Sequence, residues 1–323
     1  MITLKDLANE LKVSVSTVSK ALSDSHEISK ETKEKILNLA KERNYTPNNT
    51  AVNLRRKQTK TIGVVIPNIF NHFYTKILSG IESEARKKGY KTIISISNET
   101  FSSEEESLLY FSNGSVDGIL LAPSEESEKL NKADHILELK NKEIPFVLFD
   151  RYFENFTTDK VTIDDFDAAK NAIIHFKESG RKNILVISML KNLWIGKLRK
   201  EGALSIHKVQ LIETESEVEM AKEIEKKLKT QKIDAILALD ELSGIISLNA
   251  VRELKLKIPE EVSIISFSQG ILSKYSYPKL STINQNAQNI GIEALKLLIN
   301  KIENKNLESV TKIIKSSLEI NNT

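Results

Sequence analysis

Between Ser14 and Leu22 the chain reads S-V-S-T-V-S-K-A-L, and the residue types define what this segment could do. At helical spacing Val18, Ala21 and Leu22 share an apolar face, while Ser16, Thr17, Ser19 and Lys20 share the opposite one. Short hydroxyls and one ammonium can approach a DNA major groove closely and hydrogen-bond phosphates and base edges. The competing reading of any single such helix is a solvated polar face. Catalytic chemistry finds less support. The five histidines, at positions 26, 72, 135, 175 and 207, lack metal-ligand spacing. No G-x-S-x-G, H-E-x-x-H or glycine-rich phosphate loop is present. Asp164 and Asp165 are adjacent, so on a regular element they point to different sides; a polar loop with one ligand contact suits them better. The absence of cysteine excludes disulfides, thiolate metal sites and cysteine nucleophiles. The expectation is a protein that is not an enzyme and carries no cofactor or metal.

The elements around this segment make it more than a lone helix. Thr3 can cap a first helix with Leu4, Leu7, Ala8 and Leu11 on one face, Asp6 standing three residues on. Ser14 starts the second helix, and Ser29 starts a third that carries Ile36, Leu39 and Ala40. Three short helices within 45 residues, the first two nearly abutting, suit a helix-turn-helix. Charge follows the same division. Residues 1–60 hold 12 Lys and Arg against 7 Asp and Glu, and the remainder holds 35 against 37, so a basic head precedes a near-neutral body. That asymmetry points to a polyanionic partner for the head. No apolar run approaches the roughly 20 residues of a membrane helix. The opening MITLKDLANELK has acidic residues where an export signal would be uninterruptedly apolar, so a cytoplasmic location is expected.

From Thr61 onward strand-like runs alternate with helical patterns: TIGVVIP, KTIISIS, DGILLAP and PFVLFD, then VTI, NILVIS, VQLIET, DAILAL and VSIISF. Such alternation means parallel sheets covered by helices. Two successive series, the second opened by VTI, mean two similar lobes, with a ligand between facing strand ends. The expected fold is therefore an all-α helix-turn-helix headpiece followed by a two-lobed α/β body with parallel sheets.

The run T-L-K-D-L-A…V-S-V-S-T-V-S-K-A-L, with I-S-K-E-T and N-Y-T-P-N after it, resembles the headpiece of the lactose/galactose-repressor (LacI/GalR) family. T-I-G-V-V-I-P-N-I-F-N-H-F-Y, V-D-G-I-L-L-A-P, F-D-R, I-P-E-E-V-S-I-I-S-F and P-K-L-S-T-I-N-Q extend the resemblance to the body, which in that family has the periplasmic-binding-protein type I fold. The resemblance implies domains at 1–45 (headpiece), 46–60 (hinge helix and linker), 61–160 with about 286–307 (first lobe), and 161–285 with about 308–323 (second lobe). It implies base reading by Val15, Ser16 and Lys20, and backbone contacts from Thr3, Ser14, Thr17, Ser19 and Asn48. In the hinge, Leu54 would be a minor-groove wedge, Ala51 the small residue between paired helices, and Arg55 a phosphate contact. Eight residues are too few for a stable isolated helix, so order there must come from a partner and DNA.

The resemblance places Asn71, Phe73, Thr75, Arg151, Asp164, Arg199, Asp240, Ser268 and Gln285 around an effector, most naturally a carbohydrate. Arg199 offers a guanidinium fork to hydroxyls or a carboxylate. Three departures bear on this pocket. Ser268 and Asp240-Glu241 replace the family's common Asp and Asn-Asp, and after Gly202 the chain reaches its next strand within a few residues. Lys12 stands in the turn where glycine is frequent, which costs about 1 kcal/mol if that residue is left-handed. The resulting expectation is a homodimeric regulator, a repressor, that binds a pseudo-palindromic operator under small-molecule control. The alternative is a DNA-binding regulator with a degenerate pocket, constitutive or governed by a protein partner.

Overall fold

A computed structural model describes residues 2–45, 58–304 and 307–323. The chain divides into two compact units, Met1–Thr59 and Lys60–Thr323.

The first unit is built from α1 (Leu4–Glu10), α2 (Val15–Leu22) and α3 (Lys30–Glu42). Each begins at a hydroxyl cap. Thr3 and Asp6 form a reciprocal capping box, and Ser14 and Ser29 accept from the amides of Thr17 and Thr32. A cap of this kind contributes about 1 kcal/mol, a large share of what a small unit can spare. Leu7, Ala8, Val18, Ala21, Ile36 and Ala40 close the core. Lys12, in the turn between α1 and α2, has φ +53°, the left-handed conformation that disfavours a side chain.

The second unit contains two six-stranded sheets. In the first, β1 (Thr61–Ile66), β3 (Gly118–Leu121), β4 (Phe146–Phe149) and β5 (Lys160–Ile163) lie centrally, with β2 (Lys91–Ile96) on one edge and β11 (Thr311–Ile314) on the other. All its pairings are parallel. The central strands are continuous apolar runs because both faces are covered. Along β1, Ile62, Val64, Val65 and Ile66 are all fully buried. The covering helices are α4 (His72–Lys87), α5 (Phe101–Phe111), α6 (Glu125–Lys129), α7 (Asp134–Asn141) and α13 (Ala287–Glu303). Helices α4 and α13 cross backbone against backbone at Gly80 and Gly291. A Cβ at either would meet the carbonyl of Gln288 or Ile77 at 2.1 Å.

The second sheet runs β12 (Ser317–Glu319), β10 (Ser281–Asn284), β9 (Ser263–Phe267), β8 (Ala235–Ala238), β6 (Ile184–Ser188) and β7 (Gln210–Glu213). Only β12 is antiparallel to its neighbour. Its helices are α8 (Asp165–Glu178), α9 (Trp194–Leu204), α10 (Glu217–Thr230), α11 (Glu241–Glu253) and the short α12 (Ile271–Lys274).

Two expected boundaries are corrected. The VTI segment does not open the second lobe, because Val161–Ile163 pair with β4 and β11 in the first sheet. No helix intervenes between β4 and β5, so the lost alternation read as a change of lobe. The final strand is also divided. Thr311–Ile314 belongs to the first sheet and only Ser317–Glu319 to the second. The first lobe thus comprises 61–163 and 287–314, the second 165–285 and 317–323, and the chain crosses between them three times.

Candidate DNA-binding surface and effector cleft

In the headpiece, Ser14 Oγ accepts the Thr17 amide at 3.0 Å and lies 2.7 and 2.8 Å from the hydroxyls of Ser16 and Thr17. The amino end of α2 is therefore a cluster of small hydroxyls beside Val15, which is 44% exposed despite being apolar. Thr3 Oγ1 donates to Asp6 at 2.7 Å. Ser19 is half-buried. Lys20 is ion-paired with Glu27, and that ammonium holds the Glu27 carboxyl below the usual range. DNA readout by Lys20 would compete with an internal acid, a restraint the spacing could not reveal. Asn48, Ala51, Leu54 and Arg55, in the expected hinge, lie outside the described residues.

Between the lobes is a cavity of about 80 Å³. Of the residues expected there, Asn71, Phe73, Arg151, Arg199, Asp240, Ser268 and Gln285 line it. Thr75 and Asp164 do not. Thr75 turns its hydroxyl back on the His72 carbonyl at 2.8 Å, the usual bond of a threonine inside a first helical turn. Asp164 sits where the chain leaves the first lobe. It accepts the Ser316 amide at 2.8 Å and pairs with Lys315 at 3.3 Å, which ties one crossing to another. The lining also includes Tyr74, Asp150, Leu190, Ile195, Phe267 and Gln269, which sequence reading missed, and Glu241, which it noted only as a departure beside Asp240. Five of these are immediate neighbours of residues it named, so adjacency was the available signal. Leu190 and Ile195 precede the shortened stretch and carried none.

Two buried guanidiniums dominate the cavity. Arg151 grips Glu99 with both terminal nitrogens, at 2.6 and 2.9 Å. Beside it Asp150 accepts the Tyr74 hydroxyl at 2.8 Å. Burial pushes Asp150 up, and Arg151 opposes this. Asp150 holds φ +62°, strained for a residue with a side chain and found where a site fixes the backbone. From the other lobe Arg199 donates to Asp165 and to the Leu239 carbonyl, both at 2.7 Å, and stacks over Phe267 at 4.2 Å. Burial raises the Asp165 carboxyl to about 6 even with Arg199 beside it. Each guanidinium keeps one buried nitrogen without a hydrogen bond, Nε of Arg151, which lies 3.9 Å from Asp150, and Nη2 of Arg199. Acceptors complete the lining. Asp240 caps α11 and also takes the Met189 amide at 2.9 Å, and Glu241 takes the Ser268 hydroxyl at 2.8 Å.

The lobes also touch directly. Lys76 donates to the Gln269 carbonyl at 2.6 Å, Asn192 to Glu125 at 3.0 Å, and the Trp194 amide to Glu128 at 2.8 Å. Burial lifts the Glu128 carboxyl to about 8, against the pull of Arg151 and the Trp194 amide. Short as it is, α9 still packs tightly on α8. A Cβ at Gly202 would stand 2.1 Å from the Phe166 carbonyl, so the glycine sets how Arg199 enters the cavity.

No helix among the described residues is long and apolar enough to cross a membrane. Comparison with known proteins gives the same picture from both ends of the chain. Residues 3–48 match the bacterial regulatory proteins of the lacI family, and residues 173–319 a periplasmic binding protein-like domain. The ribose operon repressor of Bacillus subtilis (strain 168) is 31% identical across 95% of this chain and 94% of its own. The HTH-type transcriptional regulator RegA of Clostridium saccharobutylicum is 28% identical across 98% and 97%. The structure of the lac repressor dimer bound to operator and an anti-inducer superposes with a TM-score of 0.87 at 19% identity, over 100% of this chain and 98% of that one. With a helix-turn-helix head, two lobes around a cleft and a relative this close over nearly its whole length, the chain belongs to the lacI family of DNA-binding transcriptional regulators.

Proposed function

We propose that the protein is a homodimeric repressor whose affinity for a pseudo-palindromic operator is set by a small neutral polyhydroxy effector, a carbohydrate. The carrying observation is a pair of buried guanidiniums, one from each lobe, that line one cavity and each keep a buried nitrogen without a hydrogen bond. A buried donor without a partner costs about 1–3 kcal/mol, which a ligand hydroxyl reaching both would relieve while drawing the lobes together. Both arginines are already neutralised by Glu99 and Asp165, so the cleft has no surplus positive charge for a sugar phosphate. Hydroxyl groups, which donate and accept, suit a lining of spare donors, Asp240 and Glu241.

In the headpiece Val15, Ser16 and Lys20 would read bases, while Thr3, Ser14, Thr17 and Ser19 would hold phosphates. Asn48, Ala51, Leu54 and Arg55 of two subunits would enter the minor groove between half-sites, with Leu54 as the wedge. Exposed apolar side chains at Ile93 and Ile94, and at Ile271, Leu272, Tyr275 and Tyr277, give a second copy something to cover.

The test is operator binding, on DNA selected from a random pool, with and without a sugar panel that includes ribose, followed by thermal melting. One sugar should shift both, since about a hundredfold excess over its dissociation constant adds roughly 2.7 kcal/mol of apparent stability. Intact operator binding with no response to any sugar would sink the effector half. A second reading, control by a partner or none, draws on the cavity volume. About 80 Å³ is well below the roughly 300 Å³ at which ligand pockets usually begin, so a monosaccharide needs the lobes to part.

A further inference from the structure

A second cavity, of about 340 Å³, lies away from the cleft, on the first lobe, between α5 and α7. Helix α5 lines it with Ser102, Glu105, Glu106 and Leu109, one stripe at helical spacing, and α7 answers with His135 and Glu138. Two observations mark it as a ligand site. First, His135 is buried at 5% exposure, and its two ring nitrogens differ in state. Nε2 lies 2.6 Å from Glu104, a buried carboxylate that also accepts from the Ser124 amide and the Ser127 hydroxyl. Glu104 can only accept, so Nε2 carries the proton, and Nδ1 is left a buried atom without a partner. With Nε2 donating to Glu104, Nδ1 is the acceptor of the neutral tautomer, the form in which it would take a ligand's N–H.

Second, the charge of the lining is one-sided. Three carboxylates, Glu105, Glu106 and Glu138, stand against one ammonium, Lys142, which pairs with Glu138 at 3.3 Å. Neither Glu105 nor Glu106 has an ion-pair partner among the described residues. Between the acids Leu108 and Leu109 supply apolar surface, Leu109 being 57% exposed. Acceptors at the rim, an acceptor inside and an apolar wall between them fit a ligand that donates through nitrogen and carries a hydrocarbon body.

We propose that the groove between α5 and α7 is a second small-molecule site, for an organic amine with a short aliphatic chain. Occupancy would be felt one hydrogen bond away. Glu104 anchors the start of α6, and α6 carries Glu125 and Glu128, the residues that reach across to Asn192 and Trp194.

The test uses the full chain titrated with n-butylamine, with 1-butanol as the neutral control of equal shape, read by amide chemical shifts. Saturable shifts at Ser102, Leu109 and His135 with the amine, absent with the alcohol, are expected. The double variant Glu106→Gln, Glu138→Gln changes only exposed side chains and should weaken the amine by about tenfold or more, the loss of charge-assisted contacts. Phe73→Ala, in the cleft, should leave it unchanged. Equal binding of the alcohol, equal binding by the double variant, or shifts that gather at the cleft would each overturn the proposal.

Discussion

The headpiece surface and the cleft are built by opposite means. In the headpiece the proposed contact groups are mostly short side chains close together in the chain, nearly all on one eight-residue helix and in reach of solvent. In the cleft they are buried, come from strand ends far apart in the chain, and are already paired with one another. Polar groups that stay wet cost the fold almost nothing and can be selected for their target. Polar groups that are dry must first satisfy one another, and here one nitrogen on each of two arginines is left without a hydrogen bond.

Three measurements sharpen or break that contrast. The largest effect belongs to the cleft. Arg199→Ala strands the buried Asp165 carboxylate and should destabilise the body by about 3–5 kcal/mol in chemical denaturation. Adding Asp165→Asn should recover much of that; a single variant within error of the parent would mean the pair is not dry.

Next comes Lys20→Ala, which should cost roughly 1–3 kcal/mol of discrimination at one operator position while leaving stability almost untouched. Its partner acid supplies the counter-test. Glu27→Gln frees the ammonium and should tighten DNA binding slightly, since an exposed ion pair contributes little. Unchanged base preference in Lys20→Ala would remove it from the reading set.

The third effect is a slope with pH at Glu128. Its folded carboxyl titrates at about 8, above its ordinary value of 4.5. The folded state therefore holds the proton more tightly than the unfolded chain. Stability is greatest below about 4.5 and falls as pH rises toward 8, by at most about 1.4 kcal/mol per unit. Glu128→Gln should flatten melting temperature against pH in that window, and an unchanged slope would exonerate the residue.

How much could be read from the chain follows the same division. The headpiece is linear, so caps, core and exposed hydroxyls fall at fixed offsets, and its three helices were legible within a residue or two. The body's alternation gave two lobes but not their edges, because β4 reaches β5 without a helix and β11 and β12 are separated by two residues. Within the cleft, residues inside recognisable motifs were found and their neighbours overlooked. Tyr74 follows Phe73, Asp150 precedes Arg151, and Phe267 precedes Ser268. Thr75 and Asp164 were misplaced because a motif position does not say which way a side chain turns. Nothing in the sequence linked Glu104 to His135, 31 residues on; only packing brings them together.

Asp164, displaced from the cleft, has a mechanical consequence. Three chain segments join the lobes, and this carboxylate staples the first to the third through the Ser316 amide and Lys315. Three connected ribbons resist sliding and shear far more than bending about the line they share. Stapling two of them stiffens that line further. Two of the three crossings are thus fastened to each other, so neither can shift without carrying the other along.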